Sequence, residues 1–191
     1  MRDLKVFQPI IIFLGVIWGV QIINFLVGYD LNAWLGLSTR RTSGLIGILT
    51  CPFLHGSFQH AAANSAPLAL MGGLILGINR RSFLPATLMI MVIGGGLTWL
   101  LARPNTIHVG ASGLVFGYLG FLVVYGVLTR KIVTIIGSIL AVIFYGYLIS
   151  GVLPAGPGIS FEGHLFGLLG GVVAAFVLSK YYRGKETADP T

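Results

Sequence analysis

The sequence predicts an all-α membrane protein with six transmembrane helices. Charged residues make up only 9% of the 191 residues, hydrophobic residues make up 55%, and the mean hydropathy is +0.92. Soluble domains carry about 25% charged residues, so this chain has too little charge to cover the surface of a soluble globule. Six segments are apolar enough, over the ~20 residues that a bilayer requires, to form spanning helices.

The six predicted helices form a single polytopic domain over residues 1–191. None of the segments contains Lys, Arg or Asp, and Glu162 at the edge of the last is their only acidic residue. The chain also contains 28 glycines, about twice the usual share, which favours helices packed closely through small residues. The predicted helices are Pro9–Gly28, Ala61–Ile78, Phe83–Leu101, Gly110–Leu128, Ile132–Ser150 and Phe161–Leu178.

The basic charge predicts the orientation of the helices. With the N-terminus inside, nine of the 12 Lys and Arg residues fall in cytoplasmic segments and the other three in outer segments. The positive-inside rule then predicts that both termini are cytoplasmic, in a protein of the cell membrane. This accounts for the net charge of +7 without a nucleic-acid partner. The single cysteine, Cys51, excludes an internal disulfide and cysteine-based zinc sites.

Two outer connections are candidates for function. Leu31–His60 is long and has an apolar middle, so we expect it to lie partly inserted at the membrane interface. Ala102–Val109 is short and polar, and it lies on the same predicted side. Long connections in compact proteins are often functional.

Four polar residues of the predicted helices lie at one depth. At about 1.5 Å of rise per residue, Ser112 lies ~27 Å from Arg130 and His164 lies ~24 Å from Lys180. Asn64 lies ~24 Å from Arg80, and His60 lies one turn higher on the same helix face. Three helices therefore place polar groups in one layer, just under the outer boundary of the ~30 Å hydrocarbon core.

This layer has the components of a serine hydrolase. Ser112 is a candidate nucleophile and His164 a candidate general base. An oxyanion can be stabilised by the unpaired backbone N–H groups in the first turn of the predicted helix that begins at Gly110. The side chains of His60 and Asn64 can add further donors. Glu162 is two residues from His164, about 200° around the helix, so the sequence predicts a Ser–His dyad. Each of these features, taken alone, is at least as typical of helix packing as of catalysis. Their coincidence at one depth favours catalysis.

These residues and their order along the chain resemble those of the rhomboid intramembrane serine proteases. The motifs that carry the resemblance are His60-Ala-Ala-Ala-Asn64, Gly110-Ala-Ser112-Gly113, and His164 followed by Gly167. The resemblance covers nearly the whole chain and implies a rhomboid-like bundle of the prokaryotic six-helix form. It also implies hydrolysis of peptide bonds in or near transmembrane segments of protein substrates, with the active site opening to the outside and with no metal or cofactor.

The resemblance implies a role for each matching residue. Ser112 would be the nucleophile and His164 the base, while His60, Asn64 and the Ser112 N–H would form the oxyanion hole. The supporting residues would be Phe116, which stacks on the catalytic histidine, and the glycines of close helix contacts, namely Gly110, Gly113, Gly163 and Gly167. His55 matches a loop histidine that is usually structural.

The first outer loop departs from the family pattern. A Trp-Arg pair that the family often carries is replaced here by Ile46-Gly47, so the family pattern does not predict how this loop is anchored. The segment Gly151–Ser160, rich in Gly and Pro, is a candidate gate. The alternatives to a protease are a non-catalytic rhomboid-like factor that binds membrane proteins, and a small transporter.

Overall fold

The structure, a computed structural model, describes residues 4–153 and 160–188. In this part of the chain, α-helices are linked by short 3₁₀ helices and by a two-stranded antiparallel sheet in which Leu37 pairs with His108. The strands are β1 (Leu37–Ser38) and β2 (Ile107–His108). The helices are α1 (Gln8–Leu26), α2 (Asp30–Leu35), α3 (Gly47–Thr50), α4 (Phe58–Leu101), α5 (Ser112–Thr129), α6 (Ile132–Tyr145) and α7 (Phe161–Ala188).

The fold is that of an all-α, multi-pass membrane protein. Four helical segments among the described residues are long and apolar enough to cross a membrane. They are Lys5–Leu26, Phe58–Leu101, Ser112–Thr129 and Phe161–Arg183. Helix α6 is apolar but has only 14 residues.

The predicted second and third helices are the two halves of α4. Asn79 has non-helical backbone angles, and its side-chain oxygen accepts a hydrogen bond from the Arg81 N–H at 3.1 Å. Asn79 therefore ends the first half and caps the second. A Cβ atom added at Gly72 would lie 3.3 Å from the Phe83 ring, although these residues would be ~16 Å apart along a continuous helix. The chain therefore turns back on itself at Asn79.

Other predicted helix boundaries also differ from those of the structure: α7, for example, runs to Ala188 rather than Leu178. Two of the differences have a clear local cause. Helix α5 begins at Ser112 rather than Gly110, because Gly110 has a φ of +118°, which is incompatible with a right-handed helix. Helix α6 ends at Tyr145 rather than Ser150, and the chain continues as a 3₁₀ helix over Gly146–Val152. Glycine at 146 is a poor helix former, which favours this change.

Helix α5 is the buried centre of the bundle. Tyr118, Phe121 and Leu122 are almost completely inaccessible, and the Tyr118 hydroxyl contacts the Thr87 hydroxyl of α4 at 2.6 Å. Helix α7 packs against α5 through glycines, because a Cβ atom at Gly171 would lie 2.7–2.9 Å from the backbone of Gly117. Small residues are what permit helices to approach so closely in a membrane.

We predict that Gly171→Ala destabilises the fold by about 1–3 kcal/mol, because the added methyl group overlaps the α5 backbone, which cannot move aside. The measurement is the midpoint of unfolding of the purified protein in detergent. The matched control is Gly96→Ala, a helical glycine with no atom within 4 Å of its added Cβ. We expect this control to be neutral or slightly stabilising. Equal midpoints for the two variants would contradict the close packing described here.

Candidate active site

Ser112 is the first residue of α5, and the backbone before it is held by two contacts. The Gly110 N–H donates to the Cys51 carbonyl at 3.0 Å, and the Ala111 N–H donates to His55 Nε2 at 3.3 Å. A Cβ atom at Gly110 would lie 2.9 Å from the His60 ring, so this position requires glycine for space as well as for its positive φ. These contacts place the Ser112 hydroxyl at a helix N-terminus, where backbone N–H groups lack helical partners.

His164 lies in the first turn of α7, in direct contact with Ser112. Its Nε2 atom is 2.9 Å from Ser112 Oγ. The two helices approach closely here, because a Cβ atom at Gly113 would lie 3.3 Å from the Gly163 carbonyl oxygen. A Cβ atom at Gly167 would lie 3.0 Å from Gly113 Cα. The glycines of both motifs thus bring the serine and the histidine within hydrogen-bond distance.

The imidazole of His164 is oriented by two further contacts. Its Nδ1 atom is 2.9 Å from the Gly151 carbonyl oxygen, and its ring stacks on Phe116 with centroids 4.3 Å apart and planes 10° apart. Because a carbonyl oxygen only accepts hydrogen bonds, Nδ1 carries the proton and Nε2 is left to accept the proton of Ser112. The sequence analysis placed Gly151 only in a candidate gate and missed its contact with His164, since a backbone carbonyl has no signature in the residue type.

His60 and Asn64 lie on the first two turns of α4 and face the same site. The Asn64 Nδ2 atom donates to the His60 carbonyl at 3.1 Å and would lie 3.8 Å from a Cβ atom at Gly110. An amide group has a second N–H, which stays available to a ligand. Ser57 caps the start of this helix by accepting the His60 N–H at 3.0 Å, so both side chains project from an ordered helix N-terminus.

A cavity of about 520 Å³ connects these residues. Tyr147, which is 71% exposed, lies at its rim. The predicted site residues that line it are His60, Asn64, Ser112, Phe116 and His164. The structure thus brings together the polar side chains that the sequence places on three different helices. Among the described residues, no three His, Cys, Asp or Glu side chains are arranged to hold a metal ion.

Comparison with known proteins establishes the family. The Rhomboid domain family model matches residues 42–181, which is most of the chain. The chain belongs to the rhomboid family. An uncharacterized protein of Mycobacterium bovis is 36% identical in an alignment of 178 residues that covers 89% of this chain and 74% of that protein. An uncharacterized protein of Mycobacterium leprae is 37% identical in an alignment of the same length that covers 89% of this chain and 70% of that protein. The RHOMBOID-like protein 4 of Arabidopsis thaliana is 34% identical in an alignment of 140 residues that covers 69% of this chain and 33% of that protein. The resemblance stated from the motifs is confirmed.

In this rhomboid, the loop between α1 and α4 is anchored without a Trp-Arg pair at 46–47. The Trp99 indole donates to the Arg41 carbonyl at 2.8 Å, and the Arg40 N–H donates to the Trp99 carbonyl at 3.0 Å. The Arg40 guanidinium also reaches the carbonyls of Leu100 and Ala102. Together with the pairing of β1 and β2, these bonds attach the loop to the end of α4. The aromatic and the cation thus come from two different segments of the chain.

Glu162 does not act on His164 in this rhomboid. Its carboxylate pairs with the Arg103 guanidinium, with distances of 2.5 Å to Nε and 3.1 Å to Nη2. His164 instead contacts a backbone carbonyl. The candidate gate over 151–160 lies largely outside the described residues, and of its members Gly151 and Ser160 both line the cavity.

His55 supports the site from the loop before α4. It is completely buried, and its carbonyl accepts hydrogen bonds from the amides of Asn24 and Asn32, both at 3.3 Å. Burial, with a smaller contribution from the nearby His60, lowers the pKa of His55 to about 4. The neutral ring keeps Nε2 as an acceptor for the Ala111 N–H, so His55 holds the backbone that leads to Ser112.

We predict that His55 makes this rhomboid less stable in acid. Because the pKa of His55 rises from about 4 when folded to 6.5 when exposed, unfolding takes up a proton between these values. Stability contributed by the neutral ring is present above about pH 6.5 and is lost as the pH falls towards 4. His55→Gln keeps an acceptor near the Nε2 position and does not titrate. The unfolding midpoint in detergent, measured from pH 4 to 7.5, should therefore depend less on pH in His55→Gln than in the wild type.

The residual pH dependence of the variant should reflect the remaining titratable groups, among them the buried loop histidine His108, whose pKa burial also lowers. Identical pH profiles for the wild type and His55→Gln would contradict the role assigned to the His55 ring.

Proposed function

We propose that this rhomboid is an intramembrane serine protease that hydrolyses peptide bonds in or near transmembrane segments of membrane proteins. The observation that carries the proposal is the chain of contacts from Ser112 Oγ to His164 Nε2 and from His164 Nδ1 to the Gly151 carbonyl, each 2.9 Å long. A nucleophile, a base and a group that orients the base are the minimum apparatus of covalent acyl transfer.

In the proposed mechanism, Ser112 Oγ attacks the carbonyl carbon of the substrate while His164 Nε2 takes the hydroxyl proton. His164 returns this proton to the leaving amine, and an acyl ester remains on Ser112. A water molecule then hydrolyses the ester, with His164 again acting as the base. The cavity beside the dyad, with exposed Tyr147 at its rim, is a route for this water.

The developing oxyanion has donors on one side of the site. The Ser112 N–H belongs to the first turn of α5 and has no helical acceptor. The free N–H of the Asn64 amide and the ring of His60 face the same cavity. Donors that are already in place stabilise the transition state without reorganisation.

The membrane arrangement that we propose has six crossings. Helix α4 has 44 residues, or about 66 Å, which is twice the ~30 Å of the hydrocarbon core, and it reverses at Asn79. Helix α6 and the 3₁₀ helix that follows it reach about 35 Å together. Substrates would be single transmembrane helices that unwind locally, because a helix keeps its carbonyls in hydrogen bonds.

The orientation that we propose puts both termini in the cytoplasm. The Tyr182 hydroxyl donates to the Arg81 carbonyl at 2.8 Å, and Asn79 Nδ2 donates to the Tyr125 hydroxyl at 3.3 Å. These bonds join α7, the turn of α4 and α5 at the end of the bundle that carries most of the cations. By the positive-inside rule this end is cytoplasmic, and the Ser112 end opens to the outside.

We predict that a fluorophosphonate probe labels the wild-type protein in detergent and labels neither Ser112→Ala nor His164→Ala. Ser112→Ala removes the nucleophile, and His164→Ala removes the group that takes its proton. Labelling is read by gel fluorescence, with an active rhomboid as the positive control and the unfolding midpoint as the control for folding. A folded wild-type protein that stays unlabelled would favour the non-catalytic, membrane-protein-binding alternative.

We predict that Asn64→Ala slows acylation by about 10²-fold, the loss typical of a single oxyanion donor. Asn64→Asp has the same shape but no amide donor, and it should be at least as slow. The rate of probe labelling over time measures both variants. Wild-type rates in Asn64→Asp would remove the Asn64 amide from the mechanism.

A further inference from the structure

A second histidine and a second serine meet beside the dyad, outside the residues assigned to the reaction. His108 lies on β2, four residues before Ser112, and is only 8% exposed. Its Nδ1 atom contacts Ser160 Oγ, and its Nε2 atom is 2.9 Å from Thr106 Oγ1. Ser160 directly precedes α7 and lines the same cavity as Ser112.

The neighbours of His108 determine which of its nitrogens carries the proton. The Thr106 hydroxyl donates to the Arg103 carbonyl at 2.7 Å, so Thr106 Oγ1 is left to accept from His108 Nε2–H. His108 Nδ1 is then an acceptor for the hydroxyl proton of Ser160. Ser160 Oγ in turn accepts the Gly163 N–H at 3.3 Å. The network is complete with a neutral ring, and every hydrogen bond in it has one donor and one acceptor.

Ser160 connects this network to the catalytic base. Its carbonyl accepts the His164 N–H at 3.2 Å, and its side chain caps the same helical turn. The Arg103–Glu162 ion pair is a second link between the segment before α5 and the first turn of α7. The strand that leads to Ser112 is therefore bonded to the turn that carries His164.

We propose that His108 and Ser160 are positioning residues that hold His164 at its distance from Ser112. This role rests on the proposed protease function. Neither side chain exchanges a proton with the substrate. Their bond places the first turn of α7 against β2, and the dyad distance follows from that placement. Displacements of about 1 Å in such a site can cost about 100-fold in rate.

The test is the kinetics of fluorophosphonate labelling of the full-length protein in detergent, resolved into kinact and KI. We expect Ser160→Ala and His108→Leu each to lower kinact by about 10- to 100-fold with KI within about twofold. The double variant should be no slower than the slower single variant, because both substitutions remove the same bond. The matched control is Ser150→Ala, because Ser150 lines the same cavity and, within the described part of the chain, its hydroxyl bonds only to the Tyr147 carbonyl of its own 3₁₀ helix. Its kinact should equal that of the wild type.

Rescue separates positioning from a merely structural role. His108→Asn places an oxygen near the Nδ1 position, where it accepts the Ser160 proton, so its kinact should stay within about threefold of the wild type. If Ser160→Ala does not fold, the comparison of His108→Asn with His108→Leu carries the test alone.

Four results would overturn the proposal. Wild-type kinact in Ser160→Ala, or equally slow labelling in His108→Asn and His108→Leu, would refute positioning while leaving the protease function intact. Labelling of Ser112→Ala that disappears in Ser112→Ala/Ser160→Ala would make Ser160 a nucleophile instead. An unlabelled wild-type protein would refute the protease function, and the positioning role would fall with it.

Discussion

The close backbone contact between α5 and α7 is the constraint on which the rest of the structure depends. Gly113 and Gly117 on α5 face Gly163, Gly167 and Gly171 on α7, and nearly all of these positions lack room for a side chain. The side chains of serine and histidine are short, so they reach each other only if the helices that carry them almost touch. The 2.9 Å contact between Ser112 and His164 is therefore a consequence of helix packing several turns long. The same glycines stabilise the bundle and set the geometry of the site.

The polar end of the bundle is organised mainly by backbone groups. The Cys51 carbonyl accepts the Gly110 N–H, and the Ala111 N–H donates to His55. On α7, His164 Nδ1 donates to the Gly151 carbonyl, and the backbone N–H of His164 donates to the Ser160 carbonyl. In a membrane protein each such group must have a partner, because lipid offers none. The loops that satisfy these groups thereby orient the side chains of Ser112 and His164. This explains why the loops at this end of the bundle contribute so many contacts to the site although Ser112 and His164 lie on helices.

The sequence was sufficient for the all-α membrane class and for the family. Hydropathy and charge indicated a multi-pass helical protein, and the count of residues from the cations predicted to be cytoplasmic placed Ser112, His164, His60 and Asn64 in one predicted layer. In the structure these four residues line one cavity. The turn at Asn79 was predicted only as a gap between two helices, because the capping of the second half by an Asn side chain depends on local backbone angles. The end of α6 at Tyr145 was missed, because periodicity does not distinguish an α-helix from a 3₁₀ helix over a few residues.

The contacts of Gly151 and His108 could not be read from the sequence for a different physical reason. Each depends on which parts of two distant segments meet, and neither residue type specifies its partner. Glu162, two residues from His164, is the obvious acidic candidate in the sequence, but it pairs with Arg103. A carboxylate buried behind His164 would have to be desolvated, at a cost of several kcal/mol unless it were paired. A carbonyl oxygen accepts the same Nδ1 proton without that cost, and the Gly151 carbonyl takes this position.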